Sequence, residues 1–232
     1  LAWANAEDAF EEVQMLLTIA KRVRGRIDVV EGAKLDFFTG AIQARKHAQA
    51  AYEEMPQDYK DYLQGYCDGL NAYAAEHKRE RLHRKAFPAE PVDVVAAFYT
   101  VYAAMSGVST AVGSALSGDF SEVDGSLGLG SNAYAMAAPK SADGATYLCA
   151  NPHVETHGAT TFYEAHLHSD EGMNVLGVCF HGGPGIFIGA TPNLAWSQTW
   201  NYTDRVDVYK LKMHPDKKRT YWYDGAWHEL HK

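Results

Sequence analysis

A short segment rich in Gly and Ser, residues 128–134, separates two parts of the chain with different patterns, and it reads Gly-Leu-Gly-Ser-Asn-Ala-Tyr. Its serine, Ser131, is the first candidate for chemistry. A serine hydroxyl is a weak nucleophile at neutral pH and needs an adjacent base to accept its proton. Taken alone, such a segment is more typical of a solvated turn, so the catalytic interpretation depends on whether a base is available.

The α-amino group of Ser131 would itself be a suitable base. An α-amino group has a pKa of roughly 7.7–8.0, so near physiological pH it can be largely neutral, beside the hydroxyl of the same residue. This base exists only if the bond between Gly130 and Ser131 is cut. Glycine tolerates the distorted backbone that attack of the Ser131 hydroxyl on the Gly130 carbonyl requires. The residues therefore predict that the protein cleaves itself between Gly130 and Ser131.

The hydrophobic period changes at this segment. Before it, apolar residues recur at helical spacing over about residues 5–24, 33–52, 56–73 and 92–105, with Asn5 as the expected N-cap of the first helix. After it, a period of two predicts short strands at residues 132–138, 145–150, 161–168, 174–180, 186–189, 194–200, 206–211 and 221–223. Helices followed by strands predict an α+β fold in which helices cover a mostly antiparallel sheet.

The same change of pattern predicts three regions. A helical part spans residues 1–105, a Gly/Ser-rich linker or processed spacer spans 106–130, and a strand-rich part that starts with the candidate nucleophile spans 131–232. The missing initiator Met and the end just after a strand-like run suggest a fragment of a longer chain. The remaining C-terminal part of that precursor is therefore an expected partner.

Composition excludes several partners. The formal charge is −8 and the isoelectric point is about 5.7, whereas nucleic acids and anionic membranes attract basic surfaces. No stretch reaches the roughly 20 apolar residues that a membrane helix needs. The three cysteines are an odd number without close spacing, which indicates neither a disulfide framework nor a thiolate metal site. We therefore expect a small-molecule partner, with no nucleic acid and no membrane.

Several short runs resemble the penicillin acylase family of N-terminal-nucleophile hydrolases in type and spacing. They are residues 131–135 (Ser-Asn-Ala-Tyr-Ala), 151–153 (Asn-Pro-His), 162–167 (Phe-Tyr-Glu-Ala-His-Leu), 182–185 (Gly-Gly-Pro-Gly) and 196–199 (Trp-Ser-Gln-Thr). The resemblance covers nearly the whole chain. The acyl-homoserine lactone acylase and cephalosporin acylase branch is nearest, because Pro152 precedes His153 where the penicillin G branch has Gln.

The resemblance implies a fold and a mechanism. The fold is an N-terminal-nucleophile hydrolase αββα sandwich, in which two antiparallel sheets are stacked between helical layers. Ser131 would attack an acyl amide and form an acyl-enzyme, His153 would orient the nucleophile, and the backbone N–H of Trp200 would stabilise the oxyanion. The resemblance also implies a periplasmic or secreted α/β heterodimer, with a second oxyanion donor and an Arg supplied from beyond Lys232.

Two alternatives remain open for the function. A penicillin- or cephalosporin-type amide could be the substrate on the same fold, because the pocket wall alone distinguishes it from an acyl-homoserine lactone. Candidate wall residues are Phe162, Phe180, Phe187 and Trp200, although strands bury aromatic side chains anyway. A protein of another class, a non-catalytic α+β module that binds a ligand or a metal, would use the Gly/Ser segment only as a linker.

A structural calcium site is also implied by the resemblance. Its ligands would be Glu90, Asp204, Asp207 and the carbonyl of Val206, and oxygen ligands suit calcium. Arg205 stands where the penicillin G branch has an acid, which lowers the local negative charge. Solvent-facing carboxylates explain the acids equally well. A zinc site built on His153 and His157 is rejected, because the pair lies in a predicted loop without the Glu that a zinc protease carries after its first His.

Overall fold

In the computed structural model, residues 1–119, 130–158, 160–201 and 206–230 are described. Within these ranges the α-helices all precede the strands. The helices are α1 (Ala2–Ala20), α2 (Val29–Ala41), α3 (Ala44–Glu54), α4 (Gln57–Glu76), α5 (Pro91–Met105) and α6 (Val108–Ser117). The strands are β1 (Gly130–Met136), β2 (Tyr147–His153), β3 (Phe162–His168), β4 (Asn174–Phe180), β5 (Ile188–Ala190), β6 (Ala195–Trp196), β7 (Lys212–Met213), β8 (Thr220–Tyr223) and β9 (Ala226–Glu229).

The strands form three antiparallel sheets in the described part of the chain. β1 pairs with β2, the order of the second sheet is β3-β4-β5-β6, and the order of the third is β7-β8-β9. All of these pairings are antiparallel. The mixture of helix and antiparallel sheet confirms the α+β class, whereas the αββα sandwich stays a prediction.

Helix α1 lies at the centre of the helical part. One side of it packs on α4 through a cluster that includes Phe10, Val13, Leu17, Leu70 and Tyr73. Another side packs on α5 through a second cluster that includes Leu16, Ala96 and Val101. The helix is kinked at Ala9, where φ is −150° and ψ is 54°. Buried apolar side chains therefore fix α4 and α5 against α1.

Ion pairs of a buried carboxylate connect a third helix, α3, to this core. The Asp93 carboxylate in α5 is fully buried and lies 2.8 Å from Lys21 Nζ, just after α1. It also bonds the guanidinium of Arg45 in α3 and accepts the backbone N–H of Glu90 at 2.9 Å. Glu90 and Asp93 thus form a reciprocal capping box at the start of α5, where Pro91 is the first helical residue.

The helical predictions need three corrections. Asn5 is not an N-cap, because α1 begins at Ala2 and the Asn5 side chain bonds residues far along the chain. The predicted helix over residues 33–52 is two helices, since Gln43 adopts the left-handed conformation between them (φ 50°). Residues 108–117 of the predicted linker form α6. The division into regions and the processing of a spacer stay predictions, and residues 120–129 lie outside the described chain.

Most predicted strands are confirmed, with shifted ends. Residues 206–211 form no strand, and β7 follows at Lys212–Met213. β9 was not predicted, although Asp224 and Gly225 both have positive φ (45° and 75°) and make the tight turn that joins it to β8.

No single helix in the described residues is long and apolar enough to span a membrane. Among the described helices, only α5 and α6 together meet that length and composition, and they are bent by 69°.

Candidate active site

The pairing of β1 with β2 brings the backbone of the predicted cleavage bond opposite His153, the predicted orienting histidine, but the Ser131 and His153 side chains lie on opposite faces of the strand pair. In the antiparallel register Gly130 faces His153, and Ser131 faces Pro152. The predicted cleavage bond is therefore opposite the Pro152–His153 pair. The ladder of seven residues in each strand brings His153 to Gly130, whereas the Ser131 side chain projects from the other face. The role of His153 in orienting Ser131 therefore stays a prediction.

The hydroxyl of Ser131 is hydrogen-bonded to the carbonyl group that it would have to attack. Ser131 Oγ donates a hydrogen bond to the Gly130 carbonyl oxygen at 2.5 Å. Ser131 is half-buried and is the second residue of β1, so its side chain is held near that carbonyl by extended backbone on both sides. The arrangement keeps the hydroxyl and the peptide bond between Gly130 and Ser131 in contact.

Asn132 connects the nucleophile strand to His153. The Asn132 side-chain nitrogen lies 3.3 Å from His153 Nε2. When that ring nitrogen is unprotonated it accepts the amide N–H, and the proton of the neutral imidazole is then on Nδ1. His153 is solvent-exposed at the end of β2. The contact holds the His153 ring on the face of the strand pair that carries Asn132, opposite to the face of the Ser131 side chain. The sequence had not assigned Asn132 a role.

Trp200, the predicted oxyanion donor, does not lie in the sheet that β1 and β2 form. Trp200 follows β6, the last strand of the four-stranded sheet, and Asn201 separates it from residues 202–205, which lie outside the described chain. β1 and β2 form their own sheet in the described residues. The role of the Trp200 N–H therefore stays a prediction.

The predicted calcium ligands are only partly described. Asp204 lies outside the described residues, while Val206 is half-buried and Asp207 is exposed in a segment without regular structure. The Glu90 carboxylate accepts a hydrogen bond from Arg45 Nη2 at 2.9 Å and caps α5, so its charge is already neutralised. Among the described residues no group of three or more His, Cys, Asp or Glu is placed to bind a metal ion. The calcium site stays a prediction.

Two buried cysteines do not compete with Ser131 as nucleophiles. Burial raises the pKa of Cys67 to about 12 and the pKa of Cys179 to about 11. A thiol is nucleophilic as the thiolate, and neither residue reaches that state near neutral pH. Cys149 is exposed on β2, and all three cysteines are free.

An apolar cavity of about 460 Å³ lies between α4, α5 and the segment that follows β4. Its walls include two of the predicted aromatic residues, Phe180 and Phe187, whose ring centroids are 5.0 Å apart. Phe162 stacks on Phe180 at 5.0 Å. The helical side is formed by Leu63, Val94, Val95, Phe98, Tyr99 and Tyr102. A cavity of this size with mostly apolar walls is typical of a small-ligand site.

The helical wall of this cavity was not predicted from sequence. Phe98, Tyr99 and Tyr102 recur at a spacing that is typical of any buried helix face. In the sequence, the run Gly-Gly-Pro-Gly at residues 182–185 indicated that the backbone there could lie close to a neighbouring element. Such a sequence lets a backbone approach neighbouring helices closely, but it does not reveal which helices those are.

Comparison with known proteins shows the family to which this chain belongs. The penicillin amidase family model matches residues 1–232, the entire chain, and the chain therefore belongs to the penicillin amidase family. This confirms the resemblance described for the sequence.

Three relatives show how far the similarity extends. The chain is 26% identical over 213 residues to the acyl-homoserine lactone acylase PvdQ of Pseudomonas fluorescens (strain Pf0-1), which covers 82% of this chain and 27% of that protein. It is 27% identical over 213 residues to PvdQ of Pseudomonas putida, covering 82% and 28%. It is 36% identical over 100 residues to the aculeacin-A acylase of Actinoplanes utahensis, covering 43% and 13%. The chain thus spans between 13% and 28% of the length of these relatives.

Proposed function

We propose that the full-length protein is an N-acyl amide hydrolase whose nucleophile is Ser131, exposed as an N-terminal residue by cleavage after Gly130. Membership of the penicillin amidase family supports hydrolysis of an amide. The single observation that carries the finer proposal is the 2.5 Å hydrogen bond from Ser131 Oγ to the Gly130 carbonyl oxygen. It joins the hydroxyl to the carbonyl group whose peptide bond would be cut.

Maturation would proceed by an acyl shift. Ser131 Oγ bonds to the Gly130 carbonyl carbon, its proton passes to the departing Ser131 nitrogen, and the peptide C–N bond breaks. The product is an ester between the Gly130 carboxyl and the Ser131 hydroxyl. Water then hydrolyses the ester, which leaves a Gly130 carboxylate together with the free hydroxyl and free α-amine of Ser131. The two resulting chains would stay associated as an α/β heterodimer.

Turnover would use the freed amine as the base. The α-amine accepts the Ser131 hydroxyl proton while Oγ attacks the carbonyl carbon of the substrate amide, and it returns the proton to the leaving amine as the C–N bond breaks. Water then releases the acyl group as a carboxylic acid. His153 is the residue that the family resemblance assigns to orient Ser131; in the ladder it lies opposite Gly130 and contacts Asn132, on the other face from the Ser131 side chain. The Trp200 N–H is the proposed oxyanion donor.

Acyl-homoserine lactones are the substrates that we propose first. Two of the relatives described above are named as acylases of these lactones, and the shared region covers 82% of this chain. The 460 Å³ cavity supports an apolar acyl group, because Phe180, Phe187 and the helical side chains surround it with hydrocarbon and aromatic surface.

The test is processing and activity of the full-length protein. Intact-mass analysis should find two chains, the second beginning Ser-Asn-Ala-Tyr, and the mature protein should release carboxylic acid from acyl-homoserine lactones. Ser131→Ala should stay one chain and lose at least about 1000-fold in activity.

Ser141→Ala is the matched control, since the Ser141 hydroxyl also donates to a nearby backbone carbonyl, that of Ala138 at 3.0 Å, but lies in a turn away from the predicted bond. It should be processed normally. A single uncut polypeptide with full activity would refute the N-terminal-nucleophile mechanism. If acyl-homoserine lactones, penicillins and acyl-anilides all stay intact, the non-catalytic module is the better interpretation.

A further inference from the structure

The segment between β4 and β5, residues 181–187, separates two cavities, and we call it the dividing loop. Its sequence is His-Gly-Gly-Pro-Gly-Ile-Phe. Gly185 and Ile186 line both the 460 Å³ cavity and a second cavity of about 690 Å³ on the side of α4, β3 and β4. Because the same backbone is a wall of both spaces, a shift of the dividing loop changes the volume of each.

Helix α1 anchors the start of the dividing loop through Asn5. This side chain is fully buried, and both ends of its amide are bonded to the loop. Its nitrogen lies 2.9 Å from His181 Nδ1, and its oxygen accepts the Gly182 backbone N–H at 2.8 Å. A buried amide that satisfies both its donor and its acceptor in one loop specifies the loop position, since any shift leaves a polar group unpaired.

The contact between Gly182 and α1 is close. Gly182 has a φ of +74°, which favours glycine. A Cβ atom built there would lie 3.3 Å from Leu16 Cδ1 and 3.7 Å from the Val13 Cα atom of α1. The backbone of the loop therefore rests directly on the helix that carries Asn5.

Helices α4 and α5 hold the middle of the dividing loop. The Tyr62 hydroxyl of α4 donates to the Pro184 carbonyl oxygen. At Gly183, a Cβ atom would lie 3.2 Å from Phe98 Cζ of α5 and 2.8 Å from the Phe180 carbonyl oxygen, so no larger residue fits without displacement. The loop is thus fixed on both sides by the helical part, which precedes Ser131 in the chain.

We propose that Asn5 and Tyr62 are positioning residues that fix the dividing loop and thereby set which acyl groups the 460 Å³ cavity accepts. The proposal rests on the proposed acylase function. It adds to that function the residues that determine which acyl-chain lengths the enzyme prefers. With both hydrogen bonds in place the two cavities stay separate, which limits the length of an apolar acyl chain. Loss of either bond lets the loop move, so that long chains gain relative to short ones.

Gln14 provides a matched control for Asn5. It is equally buried on α1, and its amide also bonds backbone groups on both sides, but these are the Glu80 carbonyl at 3.1 Å and the Leu82 N–H at 2.8 Å. Both belong to the connection between α4 and α5. Replacement of Gln14 by Leu therefore removes a buried amide of the same kind without touching the dividing loop.

The first experiment measures kcat/KM of the full-length enzyme for short-chain and long-chain acyl-homoserine lactones. Asn5→Leu and Tyr62→Phe should each raise the ratio of long-chain to short-chain kcat/KM by about 3- to 10-fold, the effect expected for one hydrogen bond. The change should appear mainly in KM, because the reacting groups are untouched. Gln14→Leu should leave the ratio unchanged. Tyr62 is 40% exposed, so its variant tests the proposal even if Asn5→Leu does not fold.

The second experiment is amide hydrogen exchange, which needs no substrate. Asn5→Leu should accelerate exchange in residues 181–187, whereas Gln14→Leu should accelerate it in residues 80–82. An active enzyme whose chain-length ratio is unchanged in both Asn5→Leu and Tyr62→Phe would overturn the selectivity role. A wild-type protein that hydrolyses no acyl amide would overturn the proposed function and that role with it. Unchanged exchange in the loop would overturn the anchoring, whatever the activity.

Discussion

The helical core and the β1–β2 pair are positioned by different forces. Around α1, buried apolar side chains and the fully buried Asp93 connect α3, α4 and α5. In β1 and β2 the described residues are mostly exposed or half-buried, with Tyr134 at 66% and Tyr147 at 46%. The strand pair is defined by its backbone ladder, whereas the helical core is defined by side-chain packing.

Because of this difference, the reacting groups and the cavity depend on different parts of the fold. A slip of the β1–β2 register by one residue would move His153 away from Gly130 and turn the Ser131 side chain to the other face. A disturbance of the helical core would instead move the walls of the 460 Å³ cavity, which α4 and α5 supply. Substitutions in the helical core should therefore mainly lower the free energy of unfolding, whereas substitutions in the β1–β2 pair should mainly lower the catalytic rate.

The largest expected effect is on stability, in the helical core. Asp93→Ala should lower the free energy of unfolding by about 3–5 kcal/mol, because Lys21 and Arg45 lose their buried partner and α5 loses half of its capping box. Urea denaturation of the full-length protein measures this. Glu31→Ala is the control: its pair with Lys34 is solvent-exposed and should contribute less than about 0.5 kcal/mol. Equal losses in the two variants would contradict a core held by buried charge.

The second effect should fall on catalysis alone, in the β1–β2 pair. His153→Ala should lower kcat by about 100-fold, since misplacement of a reacting group by about 1 Å has that consequence. The free energy of unfolding should change by no more than about 0.5 kcal/mol, because the side chain is exposed. His157→Ala is the matched control, an exposed histidine in the following bend that should keep wild-type kcat. A stability loss without a kinetic effect would show that His153 is structural.

Sequence patterns predicted the strands well, because alternation is a local property. β4 has the predicted bounds, residues 174–180, and β3 differs from its prediction by one residue. The Asn5 prediction was wrong for a physical reason: a side chain suited to capping a helix can equally bond a distant loop, and its partner His181 is 176 residues away. No local pattern contains that information.

In the candidate site, the part that depends on neighbouring strands could be predicted from the sequence, whereas the cavity could not. The placement of His153 opposite Gly130, at the predicted cleavage bond, needs only one pairing of neighbouring strands. The cavity depends on Phe98 and Tyr102 meeting Phe187 from a distant part of the chain, and helical periodicity alone assigns such residues to an ordinary core. β9 could have been predicted, because Asp224-Gly225 is a typical hairpin turn.

The smallest expected effect is a pH dependence at the interface of α1 with the dividing loop. Burial lowers the pKa of His181 below its usual value, although the charges of Glu12 and Asp8 on α1 partly offset this. The remaining neighbours are uncharged: Asn5, and the Tyr163 ring at 5.6 Å, whose own pKa burial and Asp8 raise to about 12. His181 is therefore neutral in the folded protein near pH 7.

A histidine with a lowered folded pKa stabilises the fold fully above its unfolded pKa of about 6.5, and this contribution is lost as pH falls through the folded pKa. The free energy of unfolding should therefore decrease below about pH 6.5, and less so in His181→Gln, which cannot be protonated. His157→Gln, at an exposed position in the bend after β2, is the control substitution. If His181→Gln has the same pH dependence as the wild type, protonation of His181 does not weaken the contact between α1 and the loop, and the acid sensitivity belongs to other groups.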